Sequence, residues 1–121
     1  MVVQANILLQ DVFENILINS VKYNENKNME ILIRISNNLL ENVNYIKIEF
    51  IDNGIGVPDD RKEIIFKKGE RELKGSKGIG LGLSLVNKIL TTFNGKVWVE
   101  DKIKGDYSKG SNFVVLLPIA I

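Results

Sequence analysis

A chain of 121 residues, 45% hydrophobic and 26% charged, has the make-up of one globular domain, long enough to bury about 65% of the surface its unfolded form exposes. Its 16 basic against 15 acidic side chains exclude a general affinity for nucleic acid, and the absence of cysteine excludes disulfides, thiolate metal sites and a cysteine nucleophile. No apolar run approaches the ~18 residues of a membrane span, and the start, MVVQANILLQ, lacks the basic stretch of a signal peptide; the expectation is a cytoplasmic piece without direct membrane contact.

In chain order, residues 8–23 show the spacing of an amphipathic helix that ends in the polar turn NENKN. Two Ile-rich strands, MEILIRIS and YIKIEFID, follow; the Asn-rich segment 37–44 reads as the loop joining them into a hairpin. NGIGVP breaks the second strand. Residues 59–77 are charged, with one short apolar patch at 64–66, and lead to a glycine-rich stretch that opens a helix running to about Phe93. Asn94-Gly95 reads as a turn, KVWVED as a strand, 105–111 as a second turn, and NFVVLLPI as the closing strand. This alternation predicts an α/β two-layer sandwich, with a mixed sheet and the helices on one face.

The glycine-rich stretch KGSKGIGLGLSLV carries Gly75, Gly78, Gly80 and Gly82 into a helix. It lacks the G-x-x-x-x-G-K-[ST] of a Walker A loop, and it does not place G-x-G-x-x-G directly after a strand as a dinucleotide fold would. Taken alone, the glycines fit a tight turn and a close helix contact as well as a phosphate loop. Two companions change the balance. The first is DNGIGVP: one glycine already makes the turn, so Gly56 is free to let backbone approach a flat ligand. Asp52, at a strand end, offers a carboxylate that accepts from the exocyclic amine of adenine and repels the carbonyl of guanine. The second is the first helix, where Asn15, Asn19 and Lys22 fall in a polar stripe about 60° wide, at 100° per residue, beside the core stripe. Asn is a poor helix former, and its carbonyl oxygen suits a Mg²⁺ that takes further oxygens from phosphates; Lys22 would neutralise those phosphates.

With these motifs in place, the chain resembles the catalytic, ATP-binding domain of two-component sensor histidine kinases, in the GHKL ATPase superfamily. NILINSVKY is similar to the family's N box, DNGIGVP to its first glycine box, IIFKKGER to its F box and GIGLGLSLV to its second glycine box. GSNFVVLLPI matches its last strand, and the resemblance covers nearly the whole chain, residues 1–121. It implies the Bergerat fold, with ATP held between a sheet-borne Asp and a mobile lid at about 59–77.

Carried over to this sequence, the resemblance puts Asp52 on the adenine amine, with Gly54 and Gly56 in the same box and Ser111 supporting Asp52 through water. It makes Asn19 the Mg²⁺ ligand, Tyr23 a lining residue, and Asn15, Lys22 and Arg71 the groups that act on the phosphates. Gly78, Ile79, Gly80, Leu81 and Gly82 would offer backbone N–H groups at a helix N-terminus. Phe66 would anchor the lid's start by packing. From Lys67 to Lys77 five basic residues stand against Glu70 and Glu72, a local charge of +3 suited to closing on a polyphosphate.

The implied activity is transfer of the γ-phosphoryl group of Mg-ATP to a histidine on a helical dimerisation domain, upstream of a response regulator. This chain contains no histidine, so that acceptor would lie elsewhere in a parent chain or on another protein. The strand that normally precedes the N-box helix is longer than VVQA, which suggests an excised domain or a stand-alone module. Hydrolytic superfamily members carry a Glu where this chain has Asn15, and a neutral amide cannot take a proton from water. Glu14 points about 100° away along the helix. The alternatives are a stand-alone serine kinase of the anti-sigma-factor type and a GHKL ATPase switch module.

Overall fold

The computed structural model describes residues 2–3, 8–67 and 79–120. Its elements are β1 (Val2–Val3), α1 (Leu8–Lys22), β2 (Ile31–Leu40), β3 (Val43–Asp52), two single-turn 3₁₀ segments (Asp59–Arg61 and Ile64–Phe66), α2 (Ile79–Thr92), β4 (Lys96–Ile103) and β5 (Asp106–Ala120). They form the expected two layers. Both helices lie on one face of a single sheet in which β2 pairs β3, β3 pairs β5, and β4 and β1 share the other edge of β5.

The direction of the strands differs from expectation. Every described pairing is antiparallel, so the sheet is not mixed. The strand–helix–strand order of β3, α2 and β4 does make β3 and β4 run the same way. However, β5 inserts between them, and each therefore meets an antiparallel neighbour.

Two predicted loops are strand. The segment 37–44 continues the β2–β3 ladder without a break, from Ile31↔Asp52 to Leu40↔Val43, leaving only Glu41 and Asn42 as a two-residue turn with φ of 50° and 66°. Both central residues at positive φ is the hairpin geometry that matches strand twist, and Asn tolerates it. Residues 106–111 likewise belong to β5, and the actual β4–β5 turn is at Lys104-Gly105, where Gly105 has φ 86°.

The core forms where the two layers meet. Alternation along β3 and β5 sends Ile48, Phe50, Phe113, Val115 and Leu117 towards the helices, where Val12 and Ile16 of α1 and Leu83, Val86 and Leu90 of α2 close over them. Phe13 of α1 tilts onto Phe50 at 5.8 Å between centroids, which fixes α1 above the end of β3 that carries Asp52. On the opposite face, buried Glu49 accepts from Arg34 Nε at 2.9 Å and from Asn112 Nδ2 at 2.8 Å, tying β2, β3 and β5 together.

The hydrogen bond from Arg34, outweighing burial and helped by Asn112, holds the Glu49 carboxyl below its ordinary range. A carboxylate with a depressed folded-state pKa adds stability above its unfolded pKa and loses it as pH falls through the folded value. Because Arg34 is exposed and the pair partly screened, Glu49→Gln should cost about 1 kcal/mol at neutral pH. Urea unfolding of both proteins across pH should show that gap at neutral pH and show it closing below the carboxylate range.

Candidate functional site

The site is built at the end of β3. Asp52 is 3% exposed, and three donors hold its carboxylate: Gly54 N at 2.9 Å and Ser111 N at 3.3 Å on Oδ1, and Ser111 Oγ at 2.9 Å on Oδ2. Ser111 therefore supports Asp52 directly, where a bridging water was expected. The directness follows from the antiparallel β3–β5 ladder, whose last register pair, Ile51↔Asn112, sets Ser111 beside Asp52. A buried carboxylate without such donors would cost several kcal/mol, so the three bonds are what allow an ionised acceptor to stand here.

The loop after Asp52 is shaped by close packing of backbone. Gly56 has φ 78°, and a Cβ there would come within 1.7 Å of Tyr107 O. The space freed by its missing side chain thus accommodates β5, although Gly56 also lines the cleft beside Asp52. A Cβ on Gly54 would lie 2.6 Å from Tyr23 O, so Gly54 lets the loop meet the end of α1; it stands behind Asp52, outside the cleft lining. Asn53 completes the junction. Its Oδ1 accepts from Asn24 Nδ2 at 2.7 Å and Glu30 N at 3.0 Å, and its Nδ2 donates to Asn28 O at 3.0 Å.

Asp52 opens onto a cleft of about 420 Å³ between the sheet, α1 and the first 3₁₀ segments. Asn19 and Ser20 of α1 and Tyr23 just after it form one side, Ser111 and Phe113 the floor, and Ile55, Val57, Pro58, Arg61 and Ile65 the other side. One wall is polar and the other apolar except for Arg61, as suits a flat heterocycle with a polar edge. Asn19 and Ser20 are 7% and 2% exposed, yet Asn19 Oδ1 and Ser20 Oγ have no hydrogen-bond partner among the described residues. Leaving each unpaired costs about 1–3 kcal/mol, which a ligand, a hydrated cation or water in the cleft would offset. A neutral amide oxygen aimed into a cleft fits Mg²⁺, which takes few protein ligands when phosphates supply the rest. Among the described residues no cluster of three or more His, Cys, Asp or Glu offers an alternative metal site.

The remaining expected residues lie around this cleft. Asn15 is half-buried between the helices: its Nδ2 donates to Asp11 O at 2.7 Å, and its Oδ1 is 2.7 Å from where a Cβ on Gly82 would be. Ile79, Gly80, Leu81 and Gly82 make up the first turn of α2, whose N–H groups have no partner within the helix. Through Gly82 that turn meets α1 one turn before Asn19. Lys22 is exposed at the end of α1, outside the cleft lining. Glu14 is also exposed and accepts from Gln10 Nε2 at 2.9 Å. Arg71, Gly78 and residues 68–77 of the lid lie outside the described residues. Phe66 packs edge-on against Phe113, at 6.1 Å and 77°, and its neighbour Ile65 is the buried residue that lines the cleft.

Sequence reasoning missed the apolar wall. Helical spacing puts Ser20 on the core stripe of α1, which gives no hint of a site, and Ile65 was hidden in an apolar patch read through Phe66. Phe113 was within reach, because period-two spacing puts it on the same face as Ser111.

The model of the histidine kinase-, DNA gyrase B- and HSP90-like ATPase family matches residues 4–121. The chain belongs to this ATPase family. Within it, the chain is of the histidine kinase catalytic-domain type. It is 37% identical over 115 residues to cyanobacterial phytochrome B of Nostoc sp. (strain PCC 7120), covering 92% of this chain and 14% of that protein. It is 33% identical over 115 residues to the adaptive-response sensory kinase SasA of Gloeothece citriformis, covering 93% of this chain and 27% of the relative. The chain therefore spans a small part of the length of these relatives. In fold it is similar to the mycobacterial sensor histidine kinase MprB (TM-score 0.75, 21% identity, 92% of this chain and 70% of that one). The catalytic domain of histidine kinase ThkA in a nucleotide-free form is also similar (TM-score 0.72, 24% identity, 92% and 66%).

In this ATPase domain the cleft's outer wall is clipped to the sheet by Lys62. Its Nζ donates to Val57 O at 3.0 Å and to Asp59 Oδ1, and lies 2.9 Å from Asp101 Oδ1 of β4. Burial pushes the Lys62 ammonium down, but the hydrogen bond to Asp59 and the ion pair with Asp101 outweigh it and hold the group above its ordinary value. Lys62→Met should leave Asp101 largely buried without its cation and cost about 1–3 kcal/mol. Adding Asp101→Asn should recover part of that loss, so urea unfolding of the four proteins in a double-mutant cycle should give a coupling well above zero.

Proposed function

We propose that the chain binds Mg-ATP and donates its γ-phosphoryl group to a histidine on a separate phosphoacceptor and dimerisation domain, as the catalytic domain of a sensor histidine kinase. The observation that carries this reading is a buried, three-fold-bonded Asp52 facing the orphaned oxygen of Asn19 across an apolar-walled cleft. Family membership supports ATP as the nucleotide, and the named kinases among the relatives support the acceptor and a downstream response regulator.

Asp52 accepts from the adenine amine, and Ile55, Val57, Pro58 and Ile65 cover the base. Guanine is disfavoured because its carbonyl would oppose a carboxylate that has no proton to give. Asn19 holds the metal, which when bound neutralises phosphate charge. The first turn of α2, with Gly80 and Gly82 and with Gly78 before it, offers N–H groups and a favourable dipole to the phosphates. Asn15 acts through that turn, which it joins to α1, and Lys22 and Arg71 supply positive charge to the γ-phosphate. The whole chain works as one domain with a lid at about 59–77, in a cytoplasmic setting and without a nucleic-acid partner. None of its described helices is long and apolar enough to cross a membrane.

Two substitutions should fail in different ways. Asp52→Asn keeps size but loses a charge-assisted hydrogen bond of about 1.5–3 kcal/mol, so ATP affinity should drop at least tenfold with or without Mg²⁺. Asn19→Ala should keep adenosine binding and abolish the Mg²⁺-dependent part of ATP affinity. Isothermal titrations in which Asp52→Asn binds ATP like wild type, or Asn19→Ala keeps the full metal effect, would sink the assignment.

The chemistry has its own test. Phosphoryl transfer needs mostly positioning and charge neutralisation, and Asn15 cannot serve as a general base for water. Incubated alone with γ-labelled ATP, the chain should hydrolyse it slowly and stay unlabelled. A helical hairpin bearing the acceptor histidine should gain an acid-labile label; acid-stable label on a serine of a partner would favour the serine-kinase alternative, and rapid hydrolysis by the lone chain would favour the ATPase switch.

A further inference from the structure

The edge of the sheet at β2 has features that soluble proteins normally avoid. It is ten residues long and carries no Pro, no Lys and no bulge, and its only neighbour among the described residues is β3. Leu32, Ile33, Ile35 and Leu39 are 57%, 48%, 61% and 67% exposed. Natural edge strands are guarded by charge, proline or irregularity, because an open row of N–H and C=O groups templates pairing with another strand. Here the one charge, Arg34, is turned inward to Glu49 on β3.

The backbone shows which groups are on offer. Asn53 N donates to Glu30 O, so in the continuous register that follows, even-numbered residues of β2 bond to β3. The odd-numbered residues, 31 to 39, direct their N–H and C=O groups away from the sheet.

We propose that β2 is a self-recognition edge, at which two copies of this chain pair β2 against β2, antiparallel, about a two-fold axis at Ser36. That register sets Ile33 opposite Leu39, Leu32 opposite Leu40 and Ile35 opposite Asn37. Odd residues meet odd ones, so the outward-pointing groups bond and both faces of the sheet continue across the junction. Arg34 falls opposite Asn38, whereas a register centred on Arg34 would set two like charges side by side. A register centred on Ile35 would oppose Leu32 to Asn38 and Ile33 to Asn37, mixing apolar with polar. The strand is thus complementary to itself, as a two-fold interface requires, and it presents no unpaired charge to attract an acidic or basic partner.

Sedimentation of the 121-residue chain over micromolar to submillimolar concentrations should show a monomer–dimer equilibrium. Ile35→Lys and Leu39→Lys, both at exposed positions, should keep the circular dichroism spectrum and raise the dimer Kd at least tenfold; Leu85→Lys on α2 should not. The chain has no cysteine, so a single introduced thiol reports on register. Ser36→Cys should cross-link to its copy under mild oxidation, while Lys104→Cys in the β4–β5 turn should not, although it dimerises like the parent chain. A chain that remains monomeric throughout, or one whose dimer survives both lysine variants, overturns the proposal, as does equal cross-linking at the two cysteine positions.

Discussion

The contact on which the rest of this structure depends is between two residues 59 apart in sequence: the carboxylate of Asp52 and the hydroxyl and amide of Ser111. An ionised carboxylate at 3% exposure is tolerable only if its oxygens are filled by donors. Both strands are arranged to supply them. Gly110 has φ 122°, and any Cβ there would approach Asp52 O within 2.0 Å, so the backbone of β5 lies directly against that of β3 at this point. That closeness brings Ser111 within reach and sets Phe113 into the cleft floor one alternation later.

The other wall is tied to the same spot by amides. Asn24, Asn53 and the backbone of 28 and 30 form a hydrogen-bonded patch that fixes the exit of α1 to the loop after Asp52, and Ile55 N adds a bond to Tyr23 O at 3.0 Å. The distance between Asn19 and Asp52 is therefore set by short-range bonds at the end of the helix as well as by the core. The two orphaned oxygens of α1 stand on a helix whose end is hydrogen-bonded to the loop after Asp52. Their unmet hydrogen-bonding capacity is local cost, held in place by packing and directed at whatever fills the cleft.

What the sequence made legible follows from the strength of local signals. The helical stripe of α1, the Ile-rich alternation of β3 and the apolar spacing of α2 each carry enough periodicity to be read unaided, and Asp52 stood out because two glycines follow it. Segments 37–44 and 105–111 were misread for the same reason as each other. Asn, Gly and Ser are turn formers by propensity, but a hairpin already in register extends its ladder through them at the gain of one bonded pair after another. Gly110 read as part of a turn and Gly56 as a ligand contact, while their actual neighbours, Asp52 O and Tyr107 O, are remote in sequence. Lys62 and Asp101 carried no signal at all; a charge pair across 39 residues is visible only once β4 is placed.

The position of β5 has a consequence for how the protein is made. β5 follows the other described strands in synthesis, yet it occupies the middle of the sheet, between β3 on one side and β4 and β1 on the other. Until it docks, β3 has a free edge, Asp52 lacks Ser111 and the cleft has no floor. The nascent chain therefore cannot present a finished cleft before Ser111 and Phe113 of β5 have left the ribosome and docked. Folding of the sheet is governed by contacts of long sequence separation, which makes it slow relative to the helices. Ligand affinity and the completed fold thus arrive together, with the insertion of a single strand.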